Sequence, residues 1–126
     1  MSYSNLQTQP SDFSGSGGLT WTNVPVLTLR AIYDGTKKLL RVSFVLGPAI
    51  VGGAPDIDLK LRIPDGYMAK AHEEGTFAYI NNGATGIGKV RVLEGSAFLE
   101  FRKAPGVPWA LASDTWIEGT FTFEVQ

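Results

Sequence analysis

Asp56-Ile57-Asp58-Leu59-Lys60-Leu61-Arg62-Ile63-Pro64 decides the fold class. Ile57, Leu59, Leu61 and Ile63 hold alternate positions, with Asp58, Lys60 and Arg62 between them. A period of two places the aliphatics on one face of a strand and the charges on the other. A helix would scatter the same four aliphatics around its circumference. Burying each one fully stabilises by roughly 1.5–3 kcal/mol before chain entropy is counted. Pro64 lacks an amide donor and holds Ile63 extended, so the strand is expected to end there. The stretch predicts a core strand of an antiparallel sheet with one wet face.

The flanking chain repeats this grammar. Leu19-Thr20-Trp21-Thr22 and residues 26–33 read as strands, and Asp34-Gly35 is a hairpin turn into residues 38–46. Gly47-Pro48 and Gly52-Gly53-Ala54-Pro55 punctuate the loops before the opening stretch. Beyond it, residues 76–80 are strand-like and Asn81-Asn82-Gly83 turns the chain. Residues 89–93 and 97–103 flank Glu94-Gly95-Ser96 as a hairpin. In residues 116–125, Ile117, Phe121, Phe123 and Val125 alternate with Glu118, Thr120, Thr122 and Glu124. About eight strands in 126 residues predict an all-β antiparallel β-sandwich of jelly-roll type, residues 19–126. Its expected core joins Ile57, Leu59, Leu61 and Ile63 to Phe44, Phe121 and Phe123. Residues 1–18 carry only Tyr3, Leu6 and Phe13 as large apolar groups and end in Ser14-Gly15-Ser16-Gly17-Gly18. They read as a flexible N-terminal arm.

Composition narrows the chemistry. A net charge of −1 gives no overall pull toward nucleic acid, and acidic residues interleave Lys60, Arg62, Lys89 and Arg91. The chain has no cysteine, so disulfides, thiolate nucleophiles and Cys-based metal sites are excluded. No apolar run approaches a membrane span, and no ordinary secretory signal is visible. Gly83-Ala84-Thr85-Gly86-Ile87-Gly88-Lys89 fits the first seven positions of a phosphate-binding loop. Val90 stands where the magnesium-binding hydroxyl belongs, and a strand follows instead of a helix, so a plain glycine-rich loop is expected. His72 beside Glu73 and Glu74 does not converge on a metal, and Asp56, Asp58 and Asp65 lack a calcium-loop spacing. No nucleophile elbow is present. The expectation is a protein without cofactor, metal site or catalytic residues.

The aromatics carry what remains. Trp116 opens a core strand and is expected inside. Trp109, in a proline-bounded loop, is a candidate ligand or interface residue together with Tyr67 and Tyr79, suited to stacking on sugar rings or sealing subunits. Leu39, Val45, Leu93 and Phe98 alternate onto outer faces, which suggests a subunit interface.

Taken in order, the strands resemble small jelly-roll domains of phage tail fibres, tail appendages and virion decoration proteins, shaped like tumour-necrosis-factor and complement globular heads. The likeness rests on Leu19-Thr20-Trp21-Thr22, Tyr33-Asp34-Gly35-Thr36-Lys37 and Leu61-Arg62-Ile63-Pro64. It continues in Asp114-Thr115-Trp116-Ile117 and Gly119-Thr120-Phe121-Thr122-Phe123-Glu124. This resemblance implies a non-enzymatic virion structural protein, a homotrimer at the particle surface with host-surface glycan as a ligand. With Met1 as the start, only the arm precedes the domain. A stand-alone component docked on other virion proteins through Tyr3, Leu6 and Phe13 is then as much expected as a fibre tip. The alternative is a free carbohydrate-binding module, and a small β-sandwich hydrolase is a third, weaker reading.

Overall fold

The structure, a computed structural model, describes residues 6–126. Nine strands follow in chain order: β1 (Phe13–Gly15), β2 (Leu19–Thr22), β3 (Val26–Asp34), β4 (Leu39–Gly53) and β5 (Leu59–Arg62) are the first five. Then come β6 (Glu73–Asn81), β7 (Ala84–Val92), β8 (Phe98–Arg102) and β9 (Ala112–Glu124). They pair antiparallel in the order β1-β5-β8-β7-β6-β9-β4-β2, with β3 also on β4. The two ends of this path, β1 and β2, follow each other through a tight turn in which the Leu19 amide donates to the Ser16 carbonyl. The sheet is therefore nearly closed on itself, a barrel-like sandwich. The hairpins β6-β7-β8, with β9 returned beside β6, form a Greek key.

Alternation builds the core. Leu59, Leu61 and Ile63 are buried, together with Phe44, Phe121 and Phe123. Ile57 departs from the expected pattern: β5 starts only at Leu59, and Ile57 is half-buried. The polar face departs too. Asp58, expected outside in water, is 7% exposed. Arg102 covers it through Nε and a terminal nitrogen, both at 2.9 Å. Arg91 joins Glu100 at 2.8 Å and reaches Asp58 at 3.8 Å, while Lys60 reaches Glu100 at 3.8 Å. Cross-strand ion pairs thus engage Lys60 and Arg91, two of the cations that alternate on the outer face.

Three further expectations are corrected. Of the expected flexible arm, residues 1–5, Tyr3 among them, lie outside the described residues, and residues 6–18 are folded into the domain. Leu6 donates its amide to Leu29, and Phe13 enters β1, which pairs with β5 from Phe13↔Leu61 to Gly15↔Leu59. The Phe13 ring meets Trp21 edge-on at 5.1 Å. Glycine and serine signalled a linker because composition cannot show the partner strand that holds them. The glycine-rich segment 83–89 is likewise a strand from Ala84 on, in unbroken register with β6. A Cβ on Gly86 would stand 2.6 Å from the Tyr79 ring, and one on Gly88 would stand 2.8 Å from Phe77. Those glycines make room for aromatic neighbours across the pair. Finally, residues 39–53 form one strand through Gly47-Pro48, with register irregularities where loops were expected.

Candidate functional site

The loop aromatic expected to face a ligand is inside. Trp109 is fully buried, donates Nε1–H to the Phe101 carbonyl at 3.0 Å and stacks on Phe77 at 6.2 Å. Tyr79 points the same way, edge-on to Trp109 at 5.5 Å, with Lys103 Nζ 5.7 Å above its ring. Asn81 fixes the loop above them, donating to the Ala110 carbonyl and Thr115 Oγ1 and accepting from the Ala110 amide and Lys103. Tyr67 stands apart from this pair and packs on Tyr33 at 5.0 Å. Trp109 and Tyr79 are thus brought together, Trp109 within the core and half-buried Tyr79 packed against it.

Trp116 is the aromatic that changes sides. Thr115 and Ile117 are buried at 1% exposure, so alternation along β9 turns Trp116 outward and leaves it half-buried. The alternation already visible in the sequence pointed there, since a strand that buries Ile117 faces residue 116 the other way. Gly47, at φ +135°, lets the ring pass close: a Cβ there would lie 3.0 Å from Trp116 Cδ2.

Around Trp116 the outer sheet face is concave. One hollow of about 510 Å³ is lined by Trp116, Ile80, Thr85, Ile87 and Glu118 among others. A second, of about 480 Å³, adjoins it and shares Ala78, Ile87 and Glu118. Register explains the join. Thr28 pairs with Val45, Val45 with Glu118, Glu118 with Ala78, and Ala78 with Ile87. These five side chains form one row across β3, β4, β9, β6 and β7. The result is a trough across five strands, on the order of 19 Å from the first to the last at the usual strand spacing.

Its lining is mixed. Ile87 is 68% exposed and Trp116 and Ile80 are half-buried, so apolar surface meets solvent. Hydroxyls come from Thr28, Ser43, Thr76, Thr85 and Thr120, with Ser43 and Thr120 within 3.3 Å of each other. Glu118 brings the only charge to this lining, and among the described residues no lysine, arginine or histidine lies within 4 Å of its carboxylate. Hollows of this size with a few polar groups suit a bound ligand.

The other expected ligand sets have different partners. His72 Nε2 meets Glu74 at 3.1 Å at the exposed start of β6, and Glu74 also meets Lys89 at 3.5 Å. The His72 hydrogen bond is the main reason the Glu74 carboxyl sits below the usual carboxylate range. Arg102, hydrogen-bonded by Asp58, holds its proton more tightly than a free guanidinium. No group of three His, Asp or Glu side chains that would hold a metal occurs among the described residues. Among them, no helix is long and apolar enough to cross a membrane. No family model, curated protein or solved structure matches this chain.

Proposed function

We propose that this protein is a non-catalytic structural component of a phage particle, displayed on the virion surface as a homo-oligomer, and that it recognises its target through the outer trough. The observation that carries the reading is the trough itself. A nearly closed sheet has a filled core of its own, yet leaves Trp116, Ile80 and Ile87 facing water around a carboxylate that has no ion-pair partner among the described residues. Exposed apolar surface with a polar rim is a mark of contact surfaces. The strand plan that resembles phage surface domains supports the setting, and the threefold assembly belongs to the same reading. Leu39, Val45, Leu93 and Phe98 are only half-buried rather than exposed, so Ile32, Ile50, Met68 and Leu111 offer the more accessible apolar surface for subunit contact.

Antibody raised against the protein, imaged on intact particles by electron microscopy, tests the setting, and native mass spectrometry tests the assembly. Regular decoration and a trimer mass are expected. Unlabelled particles and a monomer at micromolar concentration would refute the proposal. A free carbohydrate-binding module is the second reading, favoured by the hydroxyl-lined trough. It predicts binding without particle labelling.

A further inference from the structure

Resting on the recognition reading above, we infer that the trough takes a neutral oligosaccharide chain laid across the strands. Shape comes first: the two hollows join into one channel through Ala78, Ile87 and Glu118, which suits an extended, chain-like ligand better than a single small ring. Chemistry narrows the class. Trp116 offers indole surface for the apolar face of a sugar ring. Five hydroxyl side chains and the Glu118 carboxylate stand ready to exchange hydrogen bonds with sugar hydroxyls, the carboxylate as acceptor only.

The same lining disfavours other ligands. An acidic glycan or a nucleic acid would bring negative charge against Glu118, which has no cation within 4 Å among the described residues. A purely apolar segment would bury the Glu118 carboxylate and the hydroxyls of Thr28, Thr76 and Thr85 at a cost for each group it left without a partner. A neutral polyol with an apolar face satisfies both kinds of surface at once. Glu118 thus acts as a specificity residue: it accepts from neutral sugars and repels uronic or sialic acids.

Tryptophan fluorescence tests this directly, because Trp21 and Trp109 are buried and only Trp116 meets solvent. The full chain is titrated with neutral glucose, galactose, mannose and N-acetylglucosamine oligomers of increasing length, and with polyuronates and sialylated chains. At least one neutral series is expected to perturb the emission, with affinity rising beyond the disaccharide. Trp116→Ala should weaken binding by more than about tenfold, as confirmed by calorimetry. Ser43→Ala with Thr120→Val, which spares the aromatic, should weaken it severalfold. Glu118→Gln should weaken the neutral series and relax the rejection of acidic chains. Melting curves of each variant show whether a loss reflects unfolding. Failure of every neutral series at millimolar concentration, or equal binding of acidic chains by the wild-type protein, overturns the inference. If Trp116→Ala abolishes attachment to host cells while no saccharide binds, the saccharide inference falls and the recognition reading stands.

Discussion

Replacing Trp109 with alanine should damage the fold and not the binding surface. The indole is fully buried between Phe77 and Tyr79, and its Nε1–H satisfies the Phe101 carbonyl. Removing a large buried aromatic costs about 3–5 kcal/mol through lost transfer energy and the cavity left behind. The lost hydrogen bond adds roughly 1 kcal/mol, which places Trp109→Ala toward the upper end of that range. Against a total stability of about 5–15 kcal/mol for a domain, this is a large fraction. Trp109→Phe keeps much of the ring packing but leaves the carbonyl without that donor, so a loss of about 1–3 kcal/mol is expected. Urea denaturation followed by circular dichroism should show a lower midpoint with little change in slope. Trp109→Phe should still bind whatever the wild-type trough binds. A loss below about 1 kcal/mol for Trp109→Ala would refute the buried assignment. So would loss of binding by a stable Trp109→Phe variant.

The ion-pair face offers a second test. Asp58→Ala leaves Arg102 without its double hydrogen bond, and about 2–4 kcal/mol should be lost, below the cost of fully buried pairs because Arg102 keeps partial exposure. In a double-mutant cycle with Arg102→Ala, a coupling below about 0.5 kcal/mol would contradict the pairing. Deleting residues 1–18 removes β1 and the Phe13–Trp21 contact and bares the edge of β5. Melting should fall with a loss of roughly 2–4 kcal/mol, whereas an unchanged transition would return the segment to the flexible arm its composition suggested. Glu74 has a lowered pKa when folded, so its contribution is present above the ordinary glutamate range and is lost as pH falls through the folded value. Glu74→Gln should flatten that acid limb slightly, and an identical limb in variant and wild type would remove the His72–Glu74–Lys89 contacts from the account.

Much of the fold was legible because alternation is a backbone property. Leu59, Leu61 and Ile63 point inward since the pleat turns them inward, and Asn82-Gly83 turns the chain where expected, whereas the first hairpin turns over residues 35–38, with Lys38 rather than Asp34 or Gly35 at positive φ. At Asn82 and Gly83 the φ angles are +53° and +77°, and both amides are capped by Asp114, a partner from another strand that no local pattern reveals. Composition misled wherever a distant neighbour set the requirement. Gly86 and Gly88 look like loop residues, but Tyr79 and Phe77 require them in a strand. Ser14 and Gly15 look like linker, but β5 holds them. Trp109 follows a proline-rich loop, yet the Phe101 carbonyl and two rings draw it inside. The trough was the least legible part, because it needs the registers of β3, β4, β9, β6 and β7 at once. Even so, the parity of Ile117 already turned Trp116 outward.

Attachment of the labelled protein to host cells of the proposed phage is the decisive measurement. Wild-type protein, Trp116→Ala, Glu118→Arg and the surface control Lys37→Ala are compared by flow cytometry at equal folded concentration. Saturable binding by wild type and Lys37→Ala is expected, with its loss in both trough variants and melting unchanged. Trough variants that stay folded and attach as well as wild type would contradict recognition through the trough.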